Sequence, residues 1–171
     1  MSGQVHVYTG DGKGKTTAAL GLALRAVGAG WKVFFAQFAK GTHCSELAAL
    51  ERLADSITVR RYGRERFIIG KPVQADVGAA RQGLKECREA LASGDFSLVI
   101  LDEAAVAVKL GLFGVEELIA LIDSRPPETE LVITGRGADP RVIERADLVT
   151  EMHEIKHYYR QGVEARVGIE S

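Results

Sequence analysis

The residues best suited to do chemistry lie near the start of the chain, where two lysines and two threonines follow closely spaced glycines. An apolar stretch at 5–8 precedes them and a helical pattern follows, which indicates a strand, a turn and a helix. Backbone N–H groups in such a turn point at one spot, and the helix N-terminus adds partial positive charge. We predict a phosphate-binding loop for a nucleoside triphosphate, with Lys15 on the outer phosphates and the Thr16 hydroxyl on Mg²⁺. The predicted loop residues are Gly10, Asp11, Gly12, Lys13, Gly14, Lys15, Thr16 and Thr17.

This loop is shorter than the general pattern G-x-x-x-x-G-K-[ST]. Thr9 stands where the first glycine belongs, and Gly10 leaves one residue too few before Gly14. A tighter loop is expected to hold phosphates differently from the loop of an ordinary kinase or ATPase. The alternative interpretation is a glycine-rich turn that binds nothing.

Further polar residues follow apolar stretches that indicate buried strands. Asp102 and Glu103 come directly after the apolar run 98–101, where a carboxylate beside a phosphate loop can hold magnesium directly or through water. Gln37 and Arg136 lie at the ends of two other such strands. Ligands of parallel sheets bind beyond the carboxyl ends of the strands, so we expect one site at this edge. A solvated acidic pair and a structural salt bridge of Arg136 are the alternatives.

Apolar strands alternate with helical patterns along the chain, which indicates a mostly parallel sheet with helices on both faces. We predict an α/β fold with three layers, like that of P-loop NTPases of the RecA-like type, in one domain over residues 1–171. The expected strands are 5–8, 32–38, 57–62, 98–101, 130–134 and 148–152, with an added edge strand at 163–169. The expected helices are 15–29, 46–53, 75–91 and 115–123, with a short helix capped by Asp139 and begun by Pro140.

Composition excludes several classes of protein. The 171 residues carry a net charge of −1, which gives no global field for gathering nucleic acid or anionic membrane. The sequence has no signal-peptide pattern and no apolar run long enough to span a bilayer. Cys44 and Cys87 lack metal-ligand spacing and fit free thiols in a reducing compartment, so we expect a cytoplasmic location.

Two further groups of residues have weaker signals. Lys156 and His157 follow the last predicted core strand, although a lone histidine is more often structural than catalytic. A basic stretch could form a mouth over the site or a solvated loop. It contains Arg60, Arg61, Arg64, Arg66 and Lys71, with Tyr62 and Phe67 among them.

Together these motifs resemble the ATP:corrinoid adenosyltransferases over essentially the whole chain. The shortened loop, the Thr-Gly-Arg-Gly turn and the Lys-His pair are specific in combination, while each alone would be weak. The motifs that carry the resemblance, in the order and approximate spacing of the family, are residues 9–19, 25–28, Gln37-Phe38, Lys40-Gly41, 101–103, 133–137, Ala146-Asp147, Lys156-His157 and Gly168-Ile169.

The resemblance implies a reaction in which the cobalt(I) of a corrinoid attacks the 5′-carbon of ATP and triphosphate leaves. It implies ATP and corrinoid as substrates, Mg²⁺ as the cation, a homodimer and, as a further partner, an electron-transfer protein that reduces the cobalt. Lys15, Thr16 and Glu103 would serve catalysis, and Lys156 and His157 would contribute to binding. Members of the family hold the triphosphate in the reverse of the usual direction, which would explain the shortened loop.

The sequence departs from the family in the loop after the third strand, where some members carry a Phe-x-Trp pair that displaces the lower cobalt ligand. This chain has no Trp there, and Phe67 and Ile68 are the candidates for an apolar wedge. It also starts almost at its first strand and is unusually apolar at 104–107. Two alternatives remain: an ATPase or small-molecule kinase that uses Glu103 or a nearby acid to activate water or a hydroxyl, and a nucleotide-dependent regulatory module.

Overall fold

The computed structural model describes residues 2–39, 45–63 and 70–170. Strands and helices alternate through the chain, as the apolar patterns predicted. The strands are β1 (Val5–Thr9), β2 (Val33–Phe38), β3 (Ile57–Tyr62), β4 (Leu98–Asp102), β5 (Glu130–Thr134) and β6 (Leu148–Glu151). The helices are α1 (Lys15–Gly28), α2 (Ser45–Glu51), α3 (Gln74–Ser93), α4 (Ala104–Lys109), α5 (Val115–Asp123) and α6 (Pro140–Glu144).

The six strands form one parallel sheet in the order β3-β2-β4-β5-β1-β6. Strand β5 therefore lies between β1, which leads into the glycine-rich loop, and β4, which ends in Asp102. All the carboxyl ends share one edge because every pairing is parallel. The sheet order thus places the loop, the acidic pair and the end of β5 side by side.

Helices cover both faces of this sheet, so the predicted three-layer P-loop NTPase-like fold is confirmed. One core packs the small residues Ala19, Ala23 and Ala26 of α1 and Leu50 of α2 against the sheet. The other core joins α3, α4, α5 and α6 to the opposite face, with the buried aromatic Phe38 among its members. Strands β2 and β4 are buried along their whole length, which explains their continuous apolar sequences.

Three local expectations differ from the structure or fall outside it. The edge strand predicted at 163–169 is wrong, because residues 163–166 have no regular secondary structure and residues 167–170 form turns, after a 3₁₀ helix at Tyr158–Gln161. The run at 104–107 is helical, since it belongs to α4, which sequence patterns did not indicate. The candidate wedge of Phe67 and Ile68, with Arg64 and Arg66, lies outside the described residues, as do Cys44 and Lys40-Gly41.

The short helix α6 begins as predicted. The side chain of Asp139 accepts a hydrogen bond from the backbone N–H of Arg141, and Pro140 occupies the first turn. Local rules decide this start, because proline has no N–H to lose there and the aspartate satisfies a free donor.

Candidate functional site

The glycine-rich loop joins β1 to α1 and is tied down by the segment that follows β6. The backbone N–H of Gly12 donates to the carbonyl oxygen of Met152 at 2.7 Å, and the N–H of Met152 donates to Thr9 at 2.9 Å. A Cβ atom on Gly12 would lie 2.7 Å from that same Met152 oxygen, so only glycine fits this close approach. Main-chain contacts to the segment after β6 therefore hold the loop.

Lys15 opens α1 and folds back over the loop. Its Nζ donates to the carbonyl oxygens of Gly10 at 2.7 Å and Gly12 at 2.8 Å, and only 6% of the residue is exposed. Burial lowers the pKa of this ammonium group, and nearby Arg136 lowers it further, against the opposing pull of Glu103, Asp11 and Asp102. A bound triphosphate would offer this cation charged acceptors in place of two neutral carbonyls.

Asp102 is the centre of a buried hydrogen-bond network. Its Oδ1 accepts from the hydroxyls of Thr16 at 2.9 Å and Thr134 at 2.7 Å, and its Oδ2 accepts from Nε2 of Gln37 at 3.1 Å. The residue is fully buried, as are Gln37 and Thr134. Because Thr16 gives its proton to Asp102, the lone pairs of its oxygen stay available to a cation.

Glu103 has an unusual backbone. Its φ of 61° and ψ of 17° place it in the left-handed region, which non-glycine residues rarely adopt. Its N–H donates to Oγ1 of Thr134 at 2.9 Å, and the half-buried residue lines the cavity beside the loop. The next residue begins α4, so the turn at Glu103 directs the carboxylate away from the course of β4.

The cavity above the loop has a volume of about 1010 Å³. The phosphate loop and Glu103 form one wall, and the C-terminal segment, which we define as residues 153–170, forms another. Nζ of Lys13 donates to the carbonyl oxygen of Ile169 at 2.6 Å and connects the two walls. The lining residues from the C-terminal segment are Glu154, His157, Tyr159, Arg160, Gly168, Ile169 and Glu170.

Contacts within the C-terminal segment order this wall. Glu170 accepts hydrogen bonds from Tyr158 and Arg166, which lower the pKa of its carboxyl to about 2. Arg160 donates to Glu154 at 2.5 Å, and Nδ1 of His157 accepts from the N–H of Tyr159 at 3.1 Å. Several large apolar side chains stay exposed here, with Ile155 at 96%, Tyr159 at 73% and Ile169 at 55%.

The structure brings most of the predicted site residues together. The cavity is lined by Asp11, Gly12, Lys13, Gly14, Lys15, Thr16, Thr17, Glu103, Arg136 and His157. Gln37 and Asp102 lie buried behind Thr16, and Gly10 supports Lys15 through its carbonyl oxygen. Lys156 lines a smaller neighbouring cavity of about 260 Å³. Phe67 lies outside the described residues.

The described part of the basic stretch lies elsewhere. Arg60 and Arg61 line a separate cavity of about 690 Å³ between α2 and β3. The guanidinium of Arg60 donates to the carbonyl oxygen of Val59, and its Nε atom lies 4.0 Å from Oε2 of Glu86. These two arginines therefore do not form a mouth over the phosphate loop.

Sequence reasoning missed some of the residues that reach the cavity from the C-terminal segment. Glu154, Arg160 and Glu170 follow no motif, and they meet the loop only because the chain returns across it after β6. It also named Thr134 only as part of a strand end, without a role for its hydroxyl. The signal was the position of this threonine at the last residue of an apolar strand.

Among the described residues, no group of three His, Cys, Asp or Glu side chains could hold a metal ion by itself. Magnesium at nucleotide sites usually takes only one or two protein ligands and fills its shell with phosphate oxygens and water. Thr16 and Glu103, both on the cavity, fit that mode of binding. Within the same described ranges, no helix is both long and apolar enough to cross a membrane.

A parallel sheet whose first strand runs into a lysine- and threonine-bearing glycine loop, next to a strand that ends in an acidic pair, defines a P-loop protein of the α/β class. Comparison with known proteins narrows this class. A family model described as ATP:corrinoid adenosyltransferase BtuR/CobO/CobP matches residues 1–171, and the chain belongs to this family. The resemblance seen in the sequence is thereby confirmed.

Curated relatives agree with this membership. A corrinoid adenosyltransferase of Pseudomonas aeruginosa is 37% identical over 169 residues, which cover 98% of this chain and 83% of the relative. One from Escherichia coli K12 is also 37% identical, over 98% of this chain and 85% of the relative. The corrinoid adenosyltransferase CobA of Salmonella typhimurium is 36% identical over the same shares.

Proposed function

We propose that this protein transfers the 5′-deoxyadenosyl group of ATP to the cobalt(I) of a corrinoid and releases triphosphate, in the synthesis or salvage of adenosylcobalamin. The whole chain, residues 1–171, would act as one domain. The observation that carries this proposal is a cavity that combines the cationic phosphate loop with exposed apolar side chains of the C-terminal segment. Family membership gives that combination its chemical meaning.

The reaction needs no nucleophile from the protein. The electron pair of cobalt(I) forms the bond to the 5′-carbon of ATP, the bond from that carbon to the triphosphate oxygen breaks, and its electron pair leaves with triphosphate. The protein must align the two substrates and stabilise the negative charge that grows on the leaving group. Lys13 and Lys15 lie where they would do the second task, and Arg136 faces the same cavity.

Magnesium, when bound, would supply further charge stabilisation for the triphosphate. The hydroxyl of Thr16 and the carboxylate of Glu103 would hold it, since both line the cavity. Asp102 is fully buried and already accepts three hydrogen bonds, so we assign it to orienting Thr16 rather than to direct contact with the cation.

The corrinoid is a large macrocycle with apolar faces and needs apolar surface next to the 5′-carbon. Tyr159 and Ile169 offer such surface on the cavity, and Ile155 extends it toward the smaller cavity that Lys156 lines. We propose this face of the C-terminal segment as part of the corrinoid contact. His157 lines both cavities and would lie between the two substrates.

Other features of the proposal concern the setting of the enzyme. We propose a homodimer that receives cobalt(I) from an electron-transfer protein in the cytoplasm, with no role for nucleic acid or membrane. Cys87 is a buried free thiol, which fits a reducing compartment.

An anaerobic assay tests the function directly. Purified protein is mixed with ATP, magnesium and chemically reduced cobalamin, and the visible spectrum follows the loss of cobalt(I). A light-sensitive adenosylcobalamin together with free triphosphate is the expected product. Formation of ADP and phosphate without any cobalt–carbon bond would instead favour an ATPase or kinase, and tight nucleotide binding without any product would favour a regulatory module.

A further inference from the structure

Thr134 occupies a central place in the sheet edge that carries the site. It is the last residue of β5, the strand that separates the phosphate-loop strand β1 from β4, and it pairs in register with Tyr8. The side chain is fully buried. Its position between the loop and the acidic pair follows from the sheet order.

The single hydroxyl of Thr134 makes two hydrogen bonds to the acidic pair. It donates its proton to Oδ1 of Asp102 at 2.7 Å and accepts the backbone N–H of Glu103 at 2.9 Å. One side chain thus fixes the carboxylate of one acidic residue and the main chain of the next. A methyl group in place of the hydroxyl could do neither.

The contact to Glu103 matters because its backbone is in the left-handed region, with a φ of 61°. Such a conformation persists in a non-glycine residue only when neighbouring structure imposes it. Gly135 supplies a second constraint: a Cβ on this glycine would lie 2.8 Å from Cβ of Ala105 and 2.9 Å from the N atom of Val106. The end of β5 therefore packs tightly on the first turn of α4, directly after Glu103.

The contact to Asp102 reaches the phosphate loop. The same Oδ1 atom accepts the hydroxyl of Thr16 at 2.9 Å, so Thr134 and Thr16 share one acceptor oxygen. Movement of Asp102 would turn the Thr16 hydroxyl and change where its lone pairs point. Thr134 thus supports Thr16 through Asp102, and Glu103 through its backbone N–H, and both of these residues line the cavity.

We propose that Thr134 is a positioning residue for the magnesium–triphosphate complex, acting through Thr16 on one side and Glu103 on the other. The proposal rests on the proposed function, because it presumes that magnesium and ATP bind in this cavity. Thr134 itself touches neither substrate nor cation. It sets the geometry of the two groups that do.

The test measures ATP affinity by calorimetry for the full chain, once with magnesium and once with EDTA. Thr134→Val keeps the shape of the side chain and removes the hydroxyl, and Thr134→Ser restores it. We expect the valine variant to lose roughly tenfold or more in affinity for magnesium–ATP, as is typical when a partner behind a metal ligand is removed. Its affinity for ATP in EDTA should stay near that of the wild type, and the serine variant should recover most of the loss.

Thr129→Val is the matched control. Thr129 is also a buried threonine, 2% exposed, but it precedes β5 at the opposite edge of the sheet. This variant should leave the affinity for ATP unchanged under both conditions. Should Thr134→Val fail to fold, Thr134→Ala is measured in the same way.

Several results would overturn the proposal. Unchanged magnesium–ATP affinity in Thr134→Val would show that the hydroxyl does not position the ligands, and equal losses with and without magnesium would indicate general damage to the site. If the wild type bound ATP equally with magnesium and with EDTA, the metal assignment itself would fail, and this inference with it. The spectral assay distinguishes this result from a failure of the proposed function: if the wild type still transfers the adenosyl group, only the metal assignment is wrong.

Discussion

The buried network around Asp102 predicts that two substitutions of this residue differ sharply in their effect on folding. Asp102→Asn keeps the shape and one acceptor oxygen, which can still receive the hydroxyls of Thr16 and Thr134. Its new amide donor would face Nε2 of Gln37. The Oε1 atom of Gln37 is buried and has no hydrogen-bond partner among the described residues, so this side chain can turn over and accept the new donor.

The expected magnitudes follow from that count of hydrogen bonds. Asp102→Asn keeps three partners, and the loss of charge assistance is offset because an ionised carboxylate is no longer buried, so the free energy of unfolding should change by only about 1 kcal/mol. Asp102→Leu leaves the buried donors of Gln37 and Thr134 without an acceptor at about 1–3 kcal/mol each, whereas the part-buried Thr16 hydroxyl can turn to water in the cavity, which gives a loss of roughly 2–6 kcal/mol. Such a loss is a large share of the about 5–15 kcal/mol that stabilises a typical domain.

Urea unfolding at pH 7 measures both values, provided that the slope of the transition stays constant. The control is Asp95→Asn, which removes the same charge from an exposed position after α3. If the asparagine variant were as unstable as the leucine variant, Gln37 would not adapt and the argument from hydrogen-bond satisfaction would be refuted. A leucine variant as stable as the wild type would also refute the argument, because it would show that the unpaired donors cost nothing.

Three further predictions concern the substrates. Lys15→Ala should abolish measurable ATP binding while the control Lys85→Ala does not, and wild-type affinity in Lys15→Ala would contradict the assignment. Burial lowers the pKa of Lys15, whereas a bound triphosphate favours its charged form. Calorimetry should therefore find that the ATP affinity of the wild type falls as the pH rises through this lowered pKa, which lies below the usual lysine value. Glu103→Gln should raise the magnesium concentration needed for half-maximal ATP binding roughly tenfold and leave ATP binding in EDTA unchanged. The exposed control Glu89→Gln should have no effect, and an unaltered magnesium requirement in Glu103→Gln would exclude Glu103 as a ligand. Tyr159→Ala should raise the KM for cobalamin roughly fivefold to tenfold in the spectral assay without changing the Kd for ATP, since it removes an exposed ring from the cavity wall but no phosphate contact. Val163→Ala is the control. If Tyr159→Ala weakened ATP binding as much as it raised the KM for cobalamin, a role in corrinoid contact would be contradicted.

The sequence alone predicted the parts of this protein that local rules govern. The order of apolar strands and helices, the glycine loop before α1 and the capped start of α6 all depend on residues close together in the chain. The convergence of Gln37, Asp102 and Arg136 near the loop was also predictable, because parallel strands bring their carboxyl ends to one edge. Family resemblance added the chemistry that these residues would serve.

The sequence pattern failed to predict the structure at residues 163–169 and at α4. Alternation at 163–169 suggested a strand, but β6 is the edge of the sheet and the chain turns at Gly162 and Gly168 instead. The start of α4 depends on the left-handed turn at Glu103, which Thr134 and Gly135 impose from a distant strand. Neither outcome depends on the local pattern.

What only the tertiary structure decided is how the site is closed and held. Lys13 meets Ile169 across 156 positions of sequence, and Thr134 meets Asp102 across 32. Such contacts depend on the sheet order and on the return of the chain over the loop, and residue types with local spacing carry no information about either. The sequence therefore predicted which groups would bind a triphosphate, while packing determined which residues hold those groups in place and what surface lies beside them.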